Sequence, residues 1–152
     1  MAQVYIGAMV RRMRTILLIA VLAAGAGCSK SSADKVSQTE TEAAKLNFIT
    51  VDDVDAHLTT GTAQAVDANG IDTRKHEGVV PGAVLLTSAG EYKLSELPSD
   101  KAKELVFYCG NTHCSASHQA AERAITAGYS NVKVMPEGIA GWVKAGKKVQ
   151  TI

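Results

Sequence analysis

Leu105-Val106-Phe107-Tyr108-Cys109-Gly110-Asn111-Thr112-His113-Cys114-Ser115 decides how this chain folds. Four large apolar residues in a row, too few for a helix, read as a strand buried on both faces. Gly110 and Asn111 open a loop, and beyond Ser115 the pattern changes to a helix. Ala116, Ala120, Ala124 and Ala127 share one of its faces until Gly128 stops it. A strand, a short loop and a helix in that order are the repeating unit of a parallel sheet. Cys109 sits where such a sheet presents its chemistry, at a strand's carboxyl end beside a helix N-terminus. There a sulfur is expected to meet loop N–H groups and the positive end of the helix dipole, which favour thiolate over thiol. The plain alternative is a buried, inert cysteine.

Working outward, the same alternation recurs. Phe48 to Val51, Ala63 to Asp67, Ala83 to Leu86 and Val132 to Met135 are further short apolar runs, giving about five strands with Leu105 to Tyr108. A short helix is expected after the first, with Val54 and Leu58 on one face, Asp52, Asp53 and Asp55 as an acidic start and Gly61 as its stop. The last helix, Gly138 to Ala145, sets Ile139 and Trp142 at i and i+3, where Trp142 reads as core. The expected class is α/β, a three-layer α/β/α domain around a parallel sheet, over residues 46–150.

The first 45 residues are of another kind. Arg11, Arg12 and Arg14 precede an apolar run from Ile16 to Ala24 that ends in Gly25-Ala26-Gly27-Cys28. This is the pattern of an exported precursor, and the run is shorter than the ~20 apolar residues that span a bilayer. Its end resembles the lipobox of bacterial lipoproteins, although Gly25 stands where a branched apolar residue is usual. That resemblance implies a signal peptide over 1–27, lipid attachment at Cys28 and a membrane-anchored protein of the cell envelope facing the periplasm or exterior. Residues 28–45 are polar and lack aromatics, as a flexible tether should. The formal charge is +1, with 16 basic and 15 acidic residues; without the three leader arginines it is about −2. No basic face for nucleic acid is expected.

Five motifs within the folded part, taken in order, resemble the rhodanese family of sulfurtransferases. Asp67 ends an early strand; Gly78-Val79-Val80-Pro81-Gly82-Ala83 forms a turn; Val106-Phe107-Tyr108-Cys109 is a strand ending in cysteine. Gly128-Tyr129 then leads into the strand Val132 to Val134, and Gly138-Ile139-Ala140-Gly141-Trp142 follows. The resemblance implies that Cys109 is the nucleophile, held in the loop Gly110, Asn111, Thr112, His113, Cys114 and Ser115, with Asp67 in support. It would take sulfane sulfur from a small donor such as thiosulfate or a persulfide and pass it to a thiol acceptor or partner protein, without a cofactor. Three positions depart from the common pattern. Cys114 replaces the arginine five residues after the cysteine, Asn69 the arginine two after the aspartate, and Val79 the histidine of the turn.

The pair Cys109 and Cys114 is open to three readings. Cys114 is a resolving thiol that attacks a persulfide or sulfenic acid; the pair is a resting disulfide; or Cys109, His113, Cys114 and His118 ligate a metal. The last is disfavoured, because a domain with its own core has no need of a structural metal. Phosphate-ester hydrolysis is excluded by spacing, since the residue six after Cys109 is Ser115 and not an arginine. Two other functions are carried alongside the sulfur carrier: an inactive binding module, and a thiol-disulfide module using both cysteines.

Overall fold

The computed structural model describes residues 45–152, so the leader, Cys28 and the tether up to residue 44 lie outside the described residues. Five strands, β1 (Asn47–Phe48), β2 (Ala63–Asp67), β3 (Val84–Leu85), β4 (Glu104–Tyr108) and β5 (Val132–Val134), form one sheet in the order β1-β5-β4-β2-β3. Every neighbouring pair is parallel. The helices are α1 (Val51–Thr59), α2 (Ile71–Glu77), α3 (Ala116–Thr126) and α4 (Gly138–Lys144). No described helix is long and apolar enough to cross a membrane.

The central strand β4 is buried at every residue, and its alternating side chains build both layers. Leu105, Phe107 and then Cys109 face one core with Ala120, Ala121 and Ala124 of α3. Val106 and Tyr108 face the other, with Val51 and Val54 of α1 and Ile139 and Trp142 of α4. The expected three-layer α/β/α sandwich follows from this period of two. Small residues on the inner face of α3 bring its axis close to the sheet, and Trp142 is core, 3% exposed.

Two elements differ from the sequence reading. The first strand ends at Phe48, and Val51 already belongs to α1 because Thr50 caps that helix. Its hydroxyl accepts the Asp53 N–H at 3.3 Å and donates to Asp53 Oδ2 at 2.7 Å. The helix α2 was not expected. Its only buried residue is Arg74, so it carries no apolar stripe to read.

The turn before β3 shows why Pro-Gly-Ala stands there. The Ala83 N–H donates to Val80 O at 3.0 Å, Pro81 takes the first central position, and Gly82 takes φ +73°, as a type II turn requires. Past α4 the chain returns to pair Gln150 with Val79 in an antiparallel bridge.

Candidate active site

The carboxyl ends of the two central strands lie side by side. Asp67 ends β2 in register with Tyr108, which ends β4, and the Ala68 N–H donates to Tyr108 O at 2.9 Å. Cys109 is the next residue. Its side chain continues the Leu105 and Phe107 row, which aims the sulfur at the start of α3.

Cys109 is 2% exposed, and its sulfur is bonded to Cys114 in a disulfide, with the two Cα atoms 6.3 Å apart, inside the range such bridges span. The Ser117 hydroxyl, in the first turn of α3, lies 3.3 Å from Cys109 Sγ and donates to it in the disulfide, which carries no proton. Cys114 O lies 3.2 Å away and accepts from the sulfur only when Cys109 is a protonated thiol. Loop N–H groups were expected around this atom. Among the described residues, the donor that reaches it is instead the Ser117 hydroxyl, because the Cys109 side chain points toward α3. The first-turn N–H groups of α3 have no partner four residues back, so the positive end of its dipole still faces the site.

The loop is held from below. Ile139 N–H donates to Cys109 O at 2.8 Å and Ala140 N–H to Gly110 O at 3.0 Å, so the free donors of the first turn of α4 fix the loop's opening carbonyls. Gly138 makes this approach possible. Its φ is +62°, and a Cβ there would run into Cys109 O and come within 2.7 Å of Gly110 C. At the tip, the Cys114 N–H donates to Asn111 O and the His113 N–H to Asn111 Oδ1, both at 3.0 Å. Asn111, Thr112, His113 and Ser115 are exposed and Cys114 is half-buried. Ser115 precedes α3, but its side chain makes no capping bond.

Asp67 is fully buried and serves the scaffold. Its Oδ1 accepts the Asn69 N–H at 2.6 Å and Arg74 Nε at 3.2 Å, while Arg74 Nη2 donates to Asp67 O and Leu86 O. The guanidinium missing two residues after Asp67 is thus supplied from α2, which nothing in the periodicity marks. Asn69, 7% exposed, has an amide nitrogen without a partner and lies against Gly110, whose added Cβ would be 3.8 Å from Asn69 Oδ1. Burial, with the Asp67 carboxylate close by, raises the Tyr108 hydroxyl far above its usual titration range. It therefore stays protonated and accepts the Val80 N–H at 3.0 Å, tying the Pro-Gly turn to β4.

His113 and His118 do not converge on the sulfurs. The His118 ring packs at a tilt against Phe48, centroids 5.7 Å apart. Among the described residues, no three His, Cys, Asp or Glu side chains are grouped as metal ligands.

Comparison with known proteins agrees with this architecture. A family model, the rhodanese-like domain, matches residues 50–145. A protein from Bacillus halodurans is similar with a TM-score of 0.61 and 21% identity over 69% of this chain and 77% of that one. A rhodanese-related protein from Thermoplasma volcanium gives 0.57 and 20% over 68% and 97%. A thiosulfate sulfurtransferase from Pseudomonas aeruginosa gives 0.59 and 21% over 70% of this chain and 20% of that one. No curated protein matches the chain. At such identities the solved structures speak for the fold alone. The family is carried by the matched span, which takes in β2, the Pro-Gly turn, the Cys109 loop and all of α4: the chain belongs to the rhodanese-like domain family.

Proposed function

We propose that the protein carries sulfane sulfur as a persulfide on Cys109, and that it does so outside the cytoplasm, tethered to a membrane through a lipid on Cys28. The observation that carries the first half is the position of Cys109: last in the buried row of β4, at the carboxyl edge of the sheet, facing the N-terminal turn of α3. Once Cys114 is released, the Cys109 thiolate attacks the outer sulfur of a donor such as thiosulfate. A bond forms between Cys109 Sγ and that sulfur, and sulfite leaves with the electron pair of the broken bond. The Ser117 hydroxyl and the first-turn N–H groups of α3 stabilise the thiolate and then the persulfide anion. The carbonyls of Cys109 and Gly110, pinned by α4, keep the backbone in place during the exchange.

The test uses the reduced full chain. With thiosulfate it should release sulfite, with glutathione persulfide it should release glutathione, and Cys109→Ser should do neither. In Cys114→Ser the mass of one added sulfur should map to Cys109. No sulfur uptake at Cys109 from either donor overturns the reading. For the tether, Cys28→Ala should move the protein from the membrane to the soluble fraction of bacterial cells.

A further inference from the structure

We infer that Cys114 reduces the persulfide of Cys109 and releases its sulfur as hydrosulfide, so that the domain turns sulfane sulfur into sulfide and ends each cycle as a disulfide. The inference rests on the sulfur-carrier reading above. It goes beyond it by assigning the acceptor to the chain itself.

The carrying observation is which atoms are joined. A persulfide offers two sulfurs to an attacking thiolate. Attack on the outer one would merely move the sulfane sulfur onto Cys114, whereas attack on the inner one expels it. In the structure, Cys114 Sγ is bonded to Cys109 Sγ, the inner sulfur, with the Cα atoms 6.3 Å apart. The loop therefore closes onto the atom whose attack releases sulfide.

Exposure supports an internal acceptor. Cys109 is buried under the loop and only 2% exposed, while Cys114 is half-buried at the loop's far end. An external thiol has to reach past the loop; Cys114 is already there. Holding two reactants in one short loop replaces a bimolecular encounter by an intramolecular one.

The step balances without an outside oxidant. The Cys114 thiolate forms a bond to Cys109 Sγ, the bond from Cys109 Sγ to the sulfane sulfur breaks, and that sulfur leaves with the electron pair as hydrosulfide. Two thiol sulfurs are oxidised to the disulfide, and the sulfane sulfur is reduced to sulfide. Hydrosulfide leaves readily because its parent acid is stronger than an alkyl thiol. An external dithiol reductant supplies two electrons and two protons to reopen the disulfide.

The experiment is a single turnover of the reduced full chain, freed of reductant without air, with thiosulfate or glutathione persulfide. Sulfite or glutathione, free sulfide and intact mass are followed together. Wild type should release sulfide in step with disulfide formation and lose two hydrogen atoms of mass. Cys114→Ser should keep on Cys109 the sulfur it takes up, and release sulfide at least about tenfold more slowly for each persulfide formed. Wild type that holds a stable persulfide beside a free Cys114 overturns this inference and leaves the carrier intact; that arm needs no variant to fold. Failure of both proteins to take up sulfur from either donor removes the carrier reading, and this inference with it.

Discussion

The carbonyl oxygen of Cys109 accepts a 2.8 Å hydrogen bond from Ile139, so the residue after Gly138 holds the Cys109 backbone in place. The Gly-x-x-Gly-Trp stretch is thereby explained without a catalytic side chain. It brings the first turn of α4 under the loop, and Gly138 is the point where any side chain would collide.

Gly138→Ala should accordingly cost more than Gly82→Ala. Both positions have positive φ, worth about 1–2 kcal/mol of strain for an alanine. A Cβ on Gly82 meets nothing within 4 Å, whereas one on Gly138 meets the loop backbone, so its total cost is expected at ~2–4 kcal/mol. Urea unfolding of both variants decides it; equal costs would mean that the loop yields freely.

Ser117→Ala removes the one side-chain hydroxyl among the described residues that faces Cys109 Sγ. Hydrogen bonds to charged groups contribute about 1.5–3 kcal/mol, so alkylation of reduced Cys109 at neutral pH should slow about tenfold. The pH profile of that rate should also move to higher pH, while the unfolding midpoint changes little. An unchanged alkylation profile would reduce Ser117 to a packing residue.

Arg74→Met should destabilise the fold by about 3–5 kcal/mol, because it strands a fully buried Asp67 carboxylate. It also frees the carbonyls of Asp67 and Leu86. Adding Asp67→Asn removes the stranded charge and should recover part of that loss in a double-mutant cycle measured by urea unfolding. Additive losses would show that the two side chains act independently.

These residues also mark where the sequence could and could not be read. The unit β4, Cys109 loop and α3 was legible because a four-residue apolar run followed by Gly and Asn is too short for a helix and reads as a buried strand, and because an alanine face stopped by glycine reads as a packed helix. Arg74 was illegible: α2 buries a charged residue and exposes Ile71, the reverse of the amphipathic rule. The end of β1 could have been found, since Thr50 and Asp53 have the spacing of a capping box. Ser115 directly precedes α3 without capping it, and the serine that faces the sulfur lies two residues on. Only the disulfide's direction toward α3 distinguishes Ser117.

At the amino end of β4, Glu104 bridges His57 Nδ1 at 2.6 Å and Lys133 Nζ at 2.7 Å. Burial raises the titration of this carboxyl, but the hydrogen bonds from Lys133 and His57 outweigh it, leaving it below 4.5. A lowered folded value means stability that is present above the unfolded value and lost as pH falls through the folded one. Urea midpoints should therefore drop below about pH 4.5, and Glu104→Gln should flatten that part of the profile. A variant as acid-sensitive as wild type would place the acid transition elsewhere.

The unequal burial of the two loop cysteines predicts the direction in which the disulfide opens. A reductant's thiolate needs a line of approach to the sulfur it attacks, and Cys109 offers almost none at 2% exposure. Cys114, half-buried beside exposed His113 and Ser115, offers one. Attack at Cys114 makes Cys109 the leaving group, and the Ser117 hydroxyl and the dipole of α3 stabilise the departing thiolate, which speeds its release. The intermediate is thus a mixed disulfide on Cys114. With Cys109→Ser that intermediate can no longer close internally, so the variant incubated with oxidised glutathione should carry glutathione on Cys114. In Cys114→Ser the buried Cys109 should be labelled at least about tenfold more slowly under the same conditions. Intact mass against time reads both rates, and faster labelling of Cys109 would reverse the assignment of attacked and leaving sulfurs.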